Sequence, residues 1–137
     1  MRQAGPMTGL VLLLGLSLGT PHDAPAQNAT TSWQTTPASL LKNALRNVVA
    51  AQDRYRADHA GYATTIEMLR MQPELDIRVQ ILGAGPNGWR AKATHRARPG
   101  RSCVIFVGEL GGRELPRTDG DGEMAGEERV PLCDRME

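Results

Sequence analysis

The sequence predicts an α+β fold, with one long N-terminal helix packed on a small antiparallel sheet of three to four strands and a disulfide near the C-terminus. Three observations lead there. Leu41, Leu45, Val48, Gln52, Tyr55 and His59 recur at helical spacing. From Leu75 onward the apolar period changes to two, and the only two cysteines, Cys103 and Cys133, both lie in the second half of the chain. At 137 residues there is room for one core and little more.

The first third does not read as part of that core. Arg2 supplies one positive charge, residues 10–18 are apolar apart from Gly15 and Ser17, and Gly19, Thr20 and Pro21 end the run. Ala24-Pro25-Ala26 then places small residues at both positions a signal peptidase reads. The apolar run is well short of the roughly 20 residues a membrane-spanning helix needs. Residues 1–26 are therefore expected to be a signal peptide removed after Ala26, with a retained anchor as the alternative and membrane association only in that case. Residues 27–36 are polar and without period, as a flexible linker would be, which leaves 37–137 as the folded domain. A periplasmic or extracellular location follows. The formal charge is +1 and remains so when Arg2 and Asp23 are set aside with the leader, so the protein as a whole has no drive toward nucleic acid or anionic membrane.

Within the domain, Thr36-Pro37 opens the helix as N-cap and first-turn proline. Leu40, Ala44 and Ala51 widen the apolar face, and Gly61 is expected to end the helix near Ala60, after about 23 residues. A short helical turn is expected at 65–71, before Pro73. Leu75, Ile77, Val79 and Ile81 alternate with Asp76, Arg78 and Gln80, the pattern of a strand with one wet face. After a turn at 83–88, Trp89, Ala91 and Ala93 alternate with Arg90, Lys92 and Thr94 in a returning strand, its alanines leaving space for the helix. A basic turn around Pro99-Gly100 leads to a third strand at 102–107, apolar on both faces and so central or covered. Residues 108–126, rich in glycine and charge, are expected to form a long exposed loop. Residues 129–133 should be a short last strand or an extended tail fastened by Cys133. Export would put Cys103 and Cys133 in an oxidising compartment, where a disulfide is expected, two free thiols or intermolecular pairing being the alternatives. The bridge would be worth roughly 3–4 kcal/mol on the chain-entropy model.

Three segments in this order resemble type IV pilins and the pseudopilins of type II secretion. Residues 51–63 are similar to the Q-x-x-Y-x-x-x-x-G-x-Y segment common at the helix end of pilin-like proteins, here carrying Gln52, Tyr55, Gly61 and Tyr62. Residues 88–95, Gly-Trp-Arg-Ala-Lys-Ala-Thr-His, look like their G-[WY]-x-A-x-A-T-H strand, and Cys103 with Cys133 matches a frequent C-terminal disulfide. The resemblance covers roughly two thirds of the chain and implies a pilin-like head. It departs at the N-terminus. Gly5 is followed by Pro6 and Gly9 by Leu10, and no Glu stands inside the apolar run, where pilins carry a Glu early in a long apolar helix. Pilin subunits assemble through that segment, so the resemblance implies a head behind a conventional export signal, and no ordinary fibre subunit.

Two clusters are candidate sites. Asp119, Asp121 and Glu123 alternate with Gly120 and Gly122, and calcium, which takes six to eight oxygens, is the ion such a loop would suit. Some pseudopilins bind calcium in their C-terminal loop region, but the EF-hand frame fails because Val130 falls where its last Glu belongs. A merely solvated acidic loop is the competing reading, and no other cofactor is expected. Arg78, Arg90, Lys92, Arg96, Arg98 and Arg101 could form one basic face for a polyanion through phosphate neutralisation. Trp89 alternates inward, so base stacking has no aromatic there and nucleic acid is not the expected partner. The histidines beyond the leader, His59 and His95, have no catalytic partners clustered in sequence, and no enzyme is expected. The function implied is a non-enzymatic one, by protein–protein contact in or near a pilus or secretion-type assembly of the cell envelope. The alternative is a soluble periplasmic module that contacts DNA or polysaccharide through the basic strand face.

Overall fold

The computed structural model describes residues 35–136, all within one unit of the chain, Trp33–Glu137. The expected leader, 1–26, and nearly all of the expected linker, 27–36, lie outside the described residues.

Among the described residues one α-helix, α1 (Pro37–Asp58), begins as the sequence requires. The Thr36 hydroxyl accepts the Ser39 N–H at 3.1 Å, and the Ser39 hydroxyl donates back to the Thr36 carbonyl at 2.8 Å. Such a cap is worth about 1 kcal/mol. Leu41, Ala44, Leu45, Val48, Ala51 and Gln52 form the buried stripe. The helix does not end on Gly61. It stops at Asp58, and His59 is already extended at φ −135° and ψ 159°. The exit is set by a side chain: Gln52, fully buried, accepts the Ala63 N–H at 2.8 Å and donates to the Ala63 carbonyl at 2.9 Å. Gly61 serves a different purpose, since a Cβ there would sit 3.3 Å from Pro86 Cα and 3.4 Å from the Gly85 carbonyl.

A short 3-10 turn at Glu67–Leu69 occupies part of the expected helical stretch. The sheet follows as a meander of β1 (Ile77–Ala84), β2 (Gly88–His95), β3 (Ser102–Gly108) and β4 (Leu132–Cys133), antiparallel throughout and in sequence order. Leu75, expected as the first inward residue of β1, is instead 90% exposed and outside the strand. Asp76 takes a left-handed conformation, φ 63°, which breaks the pleat between Leu75 and Ile77. The β1–β2 register shifts between Ile81 and Gly83, so Leu82 is bulged out and Gly83 comes to face Arg90.

The core lies between α1 and the inner face of β2 and β3, where Trp89, Ala91, Ala93, Cys103, Ile105 and Val107 meet Leu41, Leu45 and Val48. The alanines are fully buried, as expected of positions under a close helix. β3 is apolar on both faces because both are covered. Its outer residue Val104 is fully buried, on the side where residues 109–131 fold back. The long loop is thus only partly exposed. Pro116, Thr118 and Ala125 are buried within it, and Pro131 beyond it. Residues 116–125 form a small hairpin, with the Thr118 N–H donating to the Glu123 carbonyl, the Ala125 N–H to the Pro116 carbonyl, and an isolated bridge between Arg117 and Met124. Cys103 and Cys133 are opposite one another in the β3–β4 pair and form the disulfide.

Candidate functional site

The sheet's outer side collects most of the residues that the sequence marks as chemically active. Alternation along the strands puts Arg78 of β1, Arg90 and Lys92 of β2, and Ser102 of β3 on that side, opposite the core. The returning strap of residues 109–136 is then stapled to them. The Arg90 guanidinium donates through Nη1 to the Glu114 carbonyl at 2.7 Å. Lys92 pairs with Asp119 at 3.1 Å, the Asp119 N–H donates to the Ser102 hydroxyl at 2.8 Å, and Arg101 pairs with Asp121 at 2.7 Å.

At the centre is Asp134, a residue with no sequence signal beyond standing next to Cys133. It is 3% exposed, and its carboxylate accepts the backbone N–H groups of Ser102, Gly120 and Asp121 at 2.6–2.8 Å. Burial pushes this carboxyl up, but the Thr118 hydroxyl and the three backbone donors outweigh it and hold it below the ordinary carboxylate value. Asp121 is also held low, first by the Arg135 N–H at 2.8 Å and further by Arg101, against a smaller push from burial. Arg129, at φ 66°, reaches back to α1 and grips Asp53 with two nitrogens, at 3.0 and 3.2 Å, which raises its own pKa.

The acidic triplet therefore divides. Asp119 turns to Lys92, Asp121 to Arg101 and Arg135, and exposed Glu123 stands at the base of the hairpin tip, with its N–H on the Thr118 hydroxyl. Among the described residues no three His, Cys, Asp or Glu side chains gather as a metal-ligand set. The basic set divides as well. Arg90, Lys92 and Arg101 are engaged with the strap, Arg96 lies 3.7 Å from Asp76, and Arg98 donates to the Met136 and Ala97 carbonyls. Arg78 is exposed and has no ion pair among the described residues. The strap thus engages Arg90, Lys92, Arg101, Asp119 and Asp121 in holding itself to the sheet, leaving Arg78 and Glu123 outside those pairings.

The helix end carries a second constellation. Arg56 donates to the Tyr62 hydroxyl at 2.6 Å and its guanidinium carbon lies 4.8 Å from that ring's centroid. The Tyr62 N–H donates to the Gly85 carbonyl, tying this corner to the β1–β2 turn. Tyr62 is buried, whereas Tyr55 stacks on His59 at 3.8 Å and is only half-buried. His59 Nδ1 lies 2.8 Å from the Tyr55 carbonyl, and His95 Nδ1 accepts the Ala97 N–H at 3.0 Å. Among the described residues no helix is long and apolar enough to cross a membrane. Searched against models of known families and against curated proteins, the chain matches none.

Proposed function

We propose that this chain is an exported, pilin-like domain without catalytic activity, acting by protein–protein contact in or near a pilus or secretion-type assembly. The observation that carries the reading is how its three motif segments depend on one another. The first ends α1 through Gln52 and Ala63 and fits Gly61 against Gly85 and Pro86. The second lays Trp89, Ala91 and Ala93 beneath that helix, and the third joins Cys103 to Cys133 one strand further on. A disulfide suits an oxidising compartment. His59 and His95 are held in local hydrogen bonds.

The polyanion reading retains fewer cations, since the strap engages Arg90, Lys92 and Arg101. Cross-linking followed by affinity capture from the native envelope separates the two. Co-purification of pilus or secretion components is expected. Recovery without such partners, together with retention on heparin that falls steeply with salt, overturns the reading in favour of a polyanion module. Intact mass and N-terminal sequencing without reductant are expected to give a start at Gln27 and an oxidised cysteine pair.

A further inference from the structure

We propose that the cleft beside the β1–β2 turn binds a carboxylate, clamped between Arg90 and Arg113. The cleft encloses about 230 Å³ and is lined by residues 83–88 together with Arg90, Glu109, Leu110, Gly111 and Arg113. That is below the roughly 300–1,000 Å³ of a drug-sized pocket and suits a head group carried on a few atoms.

Three local features converge on it. The register shift at Leu82 brings Gly83 opposite Arg90, and a Cβ on Gly83 would lie 3.6 Å from Arg90 Nε and 2.6 Å from Arg113 Nη1. Two guanidinium groups therefore approach the same point, and only glycine leaves room for them. Next, Gly111 and Gly112, at φ 61° and 80°, make a tight turn in which the Arg113 N–H donates to the Leu110 carbonyl at 3.2 Å. No neighbour lies within 4 Å of a Cβ at either glycine, so the backbone angle is what requires them, and its effect is to return Arg113 over the sheet. Finally, neither guanidinium makes an ion pair among the described residues. Arg90 spends Nη1 on the Glu114 carbonyl, while its Nε is buried with no hydrogen-bond partner among them.

A buried N–H of a charged group left unpaired is costly, and like charges held together add to it. A carboxylate answers both, because guanidinium forks pair with it through parallel N–H donors. Binding at Nε would require Arg113, an exposed side chain whose Nη1 lies nearest the shared point above Gly83, to move aside. Glu109 on the rim leaves the cleft a net charge near one, which matches a monoanion and disfavours a doubly charged phosphate. The carboxylate is either a small free acid or an acidic side chain of a peptide. The site stands on this geometry alone, whatever assembly the protein joins.

The test is a titration of the ¹⁵N-labelled full chain at constant ionic strength with acetate, with the peptide acetyl-Gly-Asp-amide and with inorganic phosphate. Saturable shifts confined to Gly83, Gly88 and Gly111 are expected with both carboxylates. Tighter binding of the peptide identifies a peptide source, and equal binding a free acid. Arg113→Gln should weaken either by about tenfold, the scale of one charge-assisted pair. Gly83→Ala, which fills the space under Arg113, should weaken it too, with the helix resonances unmoved as the control for folding. Absence of a saturable shift, phosphate binding tighter than both carboxylates, or unchanged binding in Arg113→Gln overturns the proposal.

Discussion

On the inner side of the sheet, Leu41, Leu45, Val48, Trp89, Ile105 and Val107 meet through side-chain packing alone. On the outer side the strap is held by Asp134, Asp121, Lys92 and Ser102 around a smaller apolar patch of Val104, Pro116, Ala125 and Pro131, and its end is tied by a disulfide whose Cys103 faces the core. The two sides differ in what each residue contributes. Burying a large apolar side chain is worth about 1.5–3 kcal/mol, whereas an exposed ion pair is worth about 0–1 kcal/mol. The inner side is thus stable residue by residue. The outer side depends more on a few buried hydrogen bonds and on the covalent link at the end of the strap, and it should be the side that opens first.

The largest expected effect tests the inner side. Leu45→Ala, at a fully buried position under the sheet, should cost about 2–5 kcal/mol and lower the denaturation midpoint of the whole domain. Second comes the disulfide. Cys103→Ser with Cys133→Ser should cost roughly 3–4 kcal/mol, and amide exchange should rise earliest in the strap. A loss shared evenly between strap and helix would erase the distinction between the sides. Third, Asp134→Asn places an NH₂ where N–H donors now converge and should cost about 1–3 kcal/mol. Gly120 and Asp121 amides should lose protection while those of α1 keep theirs.

Acid should act in the same place. Because Asp134 and Asp121 are held below the usual 3.8, the folded state binds their protons less readily than the unfolded chain does. Their contribution is full above that value and disappears as pH falls through the lower folded-state values. Exchange in the strap should therefore accelerate in strong acid before α1 melts, and Asp134→Asn should flatten that dependence. The smallest effect is expected from Arg129→Ala. Its pairing with Asp53 is about half exposed, so about 0.2–1 kcal/mol is expected, measurable only as a slight fall in midpoint.

The inner side was legible because periodicity encodes it. Leu41 to Val48 repeat at 3.6, and Trp89, Ala91 and Ala93 at two, so the faces that meet are written in the spacing. The outer side has no such code. Asp119 and Asp121 read as cation ligands because sequence shows their density and not their partners, which come from other strands. Asp134 and Arg129 act over 32 and 76 residues, and nothing local announces either. Leu75 was misjudged for a related reason, since alternation shows no trace of the left-handed Asp76 that interrupts it. Gly61 was assigned the wrong purpose: its neighbour in space is the turn at Gly85-Pro86, not the end of its own helix.

The Gln52–Ala63 clasp closes 11 residues, while the disulfide closes 30. Loop-closure entropy rises with the logarithm of length, and a growing chain releases Gln52 and Ala63 long before Cys133. The helix corner can thus be fastened while the partner of Cys103 is still being made. Until Cys133 arrives, Cys103 is an unpaired thiol on an already forming sheet, open to the wrong sulfur. Alkylation during oxidative refolding should trap Cys103 and Cys133 as free thiols after the α1 amides have become protected. A chain stopped short of Cys133 would therefore keep Cys103 as a reactive thiol.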